Sequence, residues 1–90
     1  MASNPVIVPC AVGAWTKIAT AVTAGRVYKL STQPAGYMQT IRVTGDLAPT
    51  ANTDGADLFD NAKSEPIASD SAIDVYVKAI GAAGSVRVDL

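Results

Sequence analysis

Cys10 is the one thiol of this 90-residue chain, and a cysteine nucleophile needs a base to take its proton. The sequence contains no histidine. Composition therefore rules out Cys-His and Ser-His-Asp arrangements, and it removes the commonest zinc ligand. Cys10 reads as a small buried hydrophobe. Hard oxygen ligands are more plentiful. Asn52, Asp54, Asp57 and Asp60 crowd the stretch GDLAPTANTDGADLFD at 45–60, and calcium takes such oxygens. Their order departs from D-x-[DN]-x-[DN]-G, and no glutamate stands at the twelfth position. Asx-turn chemistry in a surface loop accounts for the same residues. A paired-carboxylate hydrolase needs two acids held across a cleft. One glutamate and seven aspartates, most in loop-like sequence, do not recommend such a pair. There is no P-loop and no G-x-G-x-x-G. The expectation is a protein with no catalytic residues, no metal and no cofactor.

What remains is chemistry of contact. Trp15, Tyr28, Tyr37 and Tyr76 could stack on a sugar or a partner, although Trp15, the only tryptophan, reads first as a filler of the core or of an interface core. Seven basic and eight acidic residues are interspersed, for a formal charge of −1. A nucleic-acid binder shows a basic patch or stripe, so nucleic acid is not an expected partner. No apolar run approaches the ~20 residues that span a bilayer. Met1-Ala2-Ser3-Asn4 lacks a basic region followed by an apolar core, so no secretory signal is expected and synthesis is cytosolic.

The elements that must position these residues are strands. In IDVYVKAIGAAGSVRVDL, Ile73, Val75, Val77 and Ala79 alternate with Asp74, Tyr76, Lys78 and Ile80. Val86, Val88 and Leu90 alternate with Ser85, Arg87 and Asp89. Period two places each set on one face of a strand. Gly81 and Gly84 supply the reversal between them, which predicts a closing hairpin over 73–90. Ala14–Thr23 is rich in β-branched residues and predicts a second strand. Ala24-Gly25 reads as a turn, and Arg26–Leu30 as a third strand paired back on the second. A loop at Ser31–Gly36 leads into a fourth strand at Tyr37–Thr44. Short strands are expected at Asp57–Phe59, with Leu58 and Phe59 pinning the 45–60 loop, and at Glu65–Ile67. No segment shows helical periodicity with caps.

Pro5-Val6-Ile7-Val8-Pro9 is bracketed by residues that cannot donate to a ladder. Residues 1–10 form either an edge strand of the same domain or an arm that adds to a neighbour. As an arm, residues 2–9 could be deleted without loss of the fold. Turn signals recur about every ten residues, which predicts one domain over 1–90. Its class is all-β: a small antiparallel sandwich or barrel of about six to eight strands, closing on the C-terminal hairpin. A chain this short buries about 60–65% of its unfolded surface. With no disulfide available, oligomerisation is the expected support.

Taken together, AWTKIATAVTAG with VYKL, the loop LAPTANTDGADLF and the closing IDVYVKAIGAAGSVRVDL resemble the small all-β virion proteins of tailed bacteriophages. The resemblance covers most of the chain. It implies a structural protein of the capsid surface, of the decoration or cement kind, that binds the major capsid protein and itself as a dimer or trimer. It supplies no catalytic residues. The partner-contacting candidates are Val6, Ile7 and Val8, with Trp15 and Tyr37 added because aromatics are enriched in interface cores. Other classes remain open: a tail or baseplate component, a carbohydrate-binding module using the four stacking aromatics, or a small inhibitor of a host protein.

Overall fold

The computed structural model describes residues 6–30, 36–50, 56–57 and 64–89. Those residues form no helix. The strands are β1 (Val6–Cys10), β2 (Thr16–Lys29), β3 (Gly36–Val43), β4 (Ala56–Asp57), β5 (Ser64–Ile80) and β6 (Gly84–Asp89). They join in one sheet, in the order β1-β6-β2-β5-β3-β4, with every strand pair antiparallel. β4 is two residues long, so among the described residues five strands carry the sheet. That is fewer than the six to eight expected, and the sheet is not a closed barrel.

β5 is the central element. Ile73, Val75, Val77 and Ala79 are all buried and form one side of the core, as their alternation requires. Over the same span β5 pairs with β2 along one edge and with β3 along the other. This overturns the closing hairpin. β3 holds one edge over 73–80, while β2 holds the other over 73–77 and Val12 bridges Ala79 beyond it, so β6 finds no place beside β5. The chain turns at Gly81, whose φ is 85°, and crosses to pair with β1 and with the far half of β2. Val86 and Val88 still face the core, because alternation depends on strand conformation and not on which strand lies next door.

The expected turn at Ala24-Gly25 is also absent. Both residues lie inside β2, paired with Ala68 and Ile67. The segment 65–67, expected as a separate short strand, is the start of the 17-residue β5. Two long strands thus replace four short ones. They are bent by register shifts. Lys17 and Ala19 face the adjacent Tyr76 and Val75, and Ala19 and Val22 face Val75 and Ile73, so β2 carries extra residues twice. β5 answers between Ala68 and Ile73, where Ser69–Ala72 leave the ladder opposite Val22–Ala24. Bulges of this kind sharpen twist and bend a sheet.

The bend folds the sheet over its own core. β3 and β6 are separated by β5 and β2 in the sheet order. Even so, the Tyr37 hydroxyl on β3 donates to the Ser85 carbonyl on β6 at 3.1 Å. Val12 makes a single parallel bridge to Ala79, with Ala79 N–H donating to Ala11 O and Gly13 N–H to Ala79 O. The core between the halves is Cys10, Ile18, Ala19, Val27, Tyr37, Ile67, Ile73, Val75, Val77, Ala79, Val86 and Val88.

β1 is an edge strand of its own chain, in register with β6 from Val6↔Val88 to Cys10↔Gly84. Val8 packs against the core and Cys10 is inside it. Deletion of residues 2–9 therefore removes a structural strand and uncovers Val86 and Val88. The expected outcome is a loss of about 3 kcal/mol or more, read as a lower midpoint in urea or heat. A deletion variant as stable as the full chain would restore the arm reading.

Candidate functional site

The densest polar arrangement among the described residues lies on the outer face of β2, β5 and β3. Cross-strand partners share a face, so register sets the layout. Tyr76 lies between Lys17 and Thr40, Arg42 is opposite Asp74, and Met38 is opposite Lys78. Asp74 is at the centre, with 3% of its surface exposed. Its Oδ1 accepts the Ala21 N–H at 3.0 Å and the Thr44 hydroxyl at 3.0 Å. Its Oδ2 lies 3.5 Å from Lys17 Nζ. One carboxylate thus ties the bulge of β2 to the residue that follows β3.

The Ala21 N–H is available because of the second bulge. Ala21 has φ 54°, in the left-handed region that a side chain disfavours. That conformation turns the amide out of the ladder and towards the acid. The hydrogen bond from Ala21 is the main reason that the Asp74 carboxyl titrates below its ordinary range. Burial works against it, and Thr44 and Lys17 add to the lowering. A carboxylate held ionised and already accepting these hydrogen bonds is a structural anion, poorly placed to take a proton from a substrate.

Cations cap the aromatic rings. Lys78 Nζ lies 4.8 Å from the Trp15 ring centre, and Lys17 Nζ lies 5.8 Å from that of Tyr76. On the other half of the sheet, Arg87 covers Tyr28 at 4.2 Å and is held by Asp89 through two hydrogen bonds of 3.0 and 3.1 Å. The four aromatics considered for stacking are divided among three places. Trp15 and Tyr76 share one outer face, Tyr28 is on the other, and Tyr37 is in the core. They do not line one platform.

Of the partner-contacting candidates, Val6 and Ile7 are exposed on β1, with Ile7 at 65%. Val8 is half-buried against the core and Trp15 is half-buried under Lys78. Tyr37 is 0% exposed and spends its hydroxyl on Ser85 within the same chain. Asn52, Asp54 and Asp60, considered for calcium, lie outside the described residues, as do the side chain of Asp57 and all of Leu58, Phe59 and Leu90. No metal-ligand cluster occurs among the described residues. Burial pushes the Cys10 thiol up to about 11, so it is protonated at neutral pH. Among the described residues no helix is long and apolar enough to cross a membrane.

The Asp74 cluster was missed by sequence reasoning, which read Asp74 as one polar residue of an alternating strand. The exposed apolar residues of β3 and the turn after it, Ile41, Val43 and Leu47, were not among the partner-contacting candidates. Comparison of the chain with protein-family models, with curated proteins and with solved structures finds no match.

Two outcomes follow from the cluster. The Asp74 carboxyl is lowered on folding, so its contribution is complete above the unfolded value of about 3.9 and is lost as pH falls through the folded value. Asp74→Asn is expected to lower Tm at pH 7, with the gap to wild type closing as the pH is taken down towards 2. A gap constant with pH would show that the charge is not what matters. Ala21→Gly keeps the amide and relieves the left-handed strain. It is expected to raise stability by roughly 0.5–1 kcal/mol, or several degrees in Tm. A destabilised glycine variant would show that the bulge imposes no strain.

Proposed function

We propose that the chain is a non-enzymatic structural protein of a tailed-bacteriophage virion, a decoration or cement protein of the capsid surface. Its partners are then the major capsid protein and further copies of itself, and it is made in the host cytoplasm. The observation that carries this reading is the placing of exposed apolar side chains around the rim of the sheet. Val6, Ile7 and Val12 lie on or just beyond β1, and Ile41, Val43 and Leu47 lie on or just beyond β3. Scattered exposed apolar residues are ordinary, whereas groups of them mark contact sites.

The polar chemistry supports the same reading. Asp74 is engaged in holding backbone, and Cys10 is buried as the neutral thiol. A cement protein works by burying surface across joints between capsomers. Many copies, each of modest affinity, then stabilise a shell loaded from within. The family resemblance points the same way, and it serves a tail or baseplate position equally well.

The test is co-sedimentation of the purified chain with heads and, separately, with tails of a phage that encodes it. Saturable binding to heads is expected, together with greater resistance of the heads to heat or to removal of divalent ions. Binding to tails alone would move the protein to that structure. No binding to either would overturn the virion reading.

A further inference from the structure

An apolar depression of about 290 Å³ lies at one end of β3, lined by Val12, Gly13, Met38, Lys78, Ile80 and the backbone about Ala79 and Gly81. It forms where the Val12–Ala79 bridge ends, beyond the first residue of β2 to pair with β5. At the opposite end of β3 the chain makes a tight turn. The Asp46 N–H donates to Val43 O at 2.9 Å, and the Leu47 N–H donates to the Asp46 carboxylate at 2.9 Å. That turn presents Leu47 at 84% exposure, the largest value among the described large apolar residues. The two features are separated by the length of β3, about 25 Å at ~3.3 Å per residue.

We infer that Leu47 of one copy seats in this depression on the next copy, so that the chain assembles head to tail. The inference rests on the reading above, that the protein is an assembly part, and it names the partner as a second copy of this chain. Size supports a single side chain as the occupant. The volume is at the lower limit of small-molecule sites, which run from roughly 300 to 1,000 Å³, and among the described residues that line it Lys78 carries the only polar side chain. Charge supports this chain as the source. Lys78 lines the depression, and exposed Asp46 stands beside Leu47, so the approaching surfaces are of opposite sign.

Because knob and hole are different surfaces, the contact is heterologous. This makes the test specific. Leu47→Ser removes the knob and leaves the hole. Val12→Glu places an acid at the rim, against incoming Asp46, and leaves the knob. Should Val12→Glu fail to fold by circular dichroism, Met38→Glu on the same rim replaces it. Sedimentation velocity over a concentration series is the measurement. Wild type is expected to self-associate, and each variant to show at least about a tenfold higher Kd, the size expected for one buried leucine. Mixing the two variants leaves one intact knob and one intact hole, so a 1:1 dimer should form from two impaired parents.

A wild type that remains monomeric, a Leu47→Ser variant that associates normally, or a mixture no larger than its parents would each overturn the inference. Head co-sedimentation separates this from the reading beneath it. A monomeric wild type that still binds heads would sink the head-to-tail contact and leave the virion role standing. Self-association without particle binding would do the reverse.

Discussion

The fold depends on a carboxylate buried in the face of a sheet. An ionised acid removed from water is tolerated only when its oxygens are satisfied. Asp74 meets that condition with one backbone N–H, one hydroxyl and one ammonium, from Ala21, Thr44 and Lys17. None of these is its neighbour in sequence. The acid therefore specifies how β2, β5 and the end of β3 sit relative to one another. It also accounts for an alanine in the left-handed region, since a regular strand would point the Ala21 amide along the ladder. The bulge so maintained bends β2, and the bend lets the Tyr37 hydroxyl reach Ser85 across the core.

Alternation was legible wherever side chains obey it. Ile73, Val75, Val77, Ala79, Val86 and Val88 all face the core as their spacing requires, and Gly36–Val43 forms the strand expected there to within a residue at each end. Pairing was not legible. Ala24-Gly25 and Gly81–Gly84 look alike as punctuation, yet one pair lies inside a strand and the other leads a crossing connection. A turn signal states that the chain is able to reverse. Whether the next strand lies alongside depends on which edges are free, and β5 has both taken over 73–77, with Val12 bridging Ala79 beyond. The even residues of β5 were misleading for the same reason. Asp74 and Tyr76 look like a solvent face and are buried, because Lys17 covers the tyrosine and three groups converge on the acid.

The candidate contact residues divide along similar lines. Val6 and Ile7 are exposed, as a Pro-flanked segment suggests. Tyr37 is wholly internal, because a ring that starts on β3 is long enough to cross a thin core and donate to the opposite strand. A core this poor in large side chains draws in Tyr37, which sequence reasoning had offered as a partner contact. The residues it overlooked, Ile41 and Val43, share the inward side of β3 with Tyr37 by alternation, since Ile41 pairs with core residue Val75 and Val43 with Ile73. They are nevertheless exposed, because the core ends before β3 does. A strand longer than the layer beneath it leaves apolar side chains at its tip.

The two flanks of the sheet treat this differently. On β1 the odd-numbered positions face away from β6. The Ala11 carbonyl and the Gly13 N–H both point to β5, and the same alternation carried back along β1 puts the missing N–H of Pro9 on the outward side. A proline there removes a donor from an open edge, a common device against uncontrolled strand addition. Residues 40–44, Thr-Ile-Arg-Val-Thr, contain no proline and no lysine, and among the described residues β4 pairs only with Met38 and Gln39. The β1 backbone edge is thus guarded at Pro9, although Val6 and Ile7 stay exposed there, and the β3 flank keeps its own apolar tip exposed. The proposed head-to-tail contact would use the two ends of β3: one offers an apolar side chain on a tight turn, and the other a shallow apolar seat. Whether such a contact closes into a ring or continues as a filament depends on the rotation between successive copies. On the proposed capsid role, that rotation would be imposed by the shell to which the copies bind.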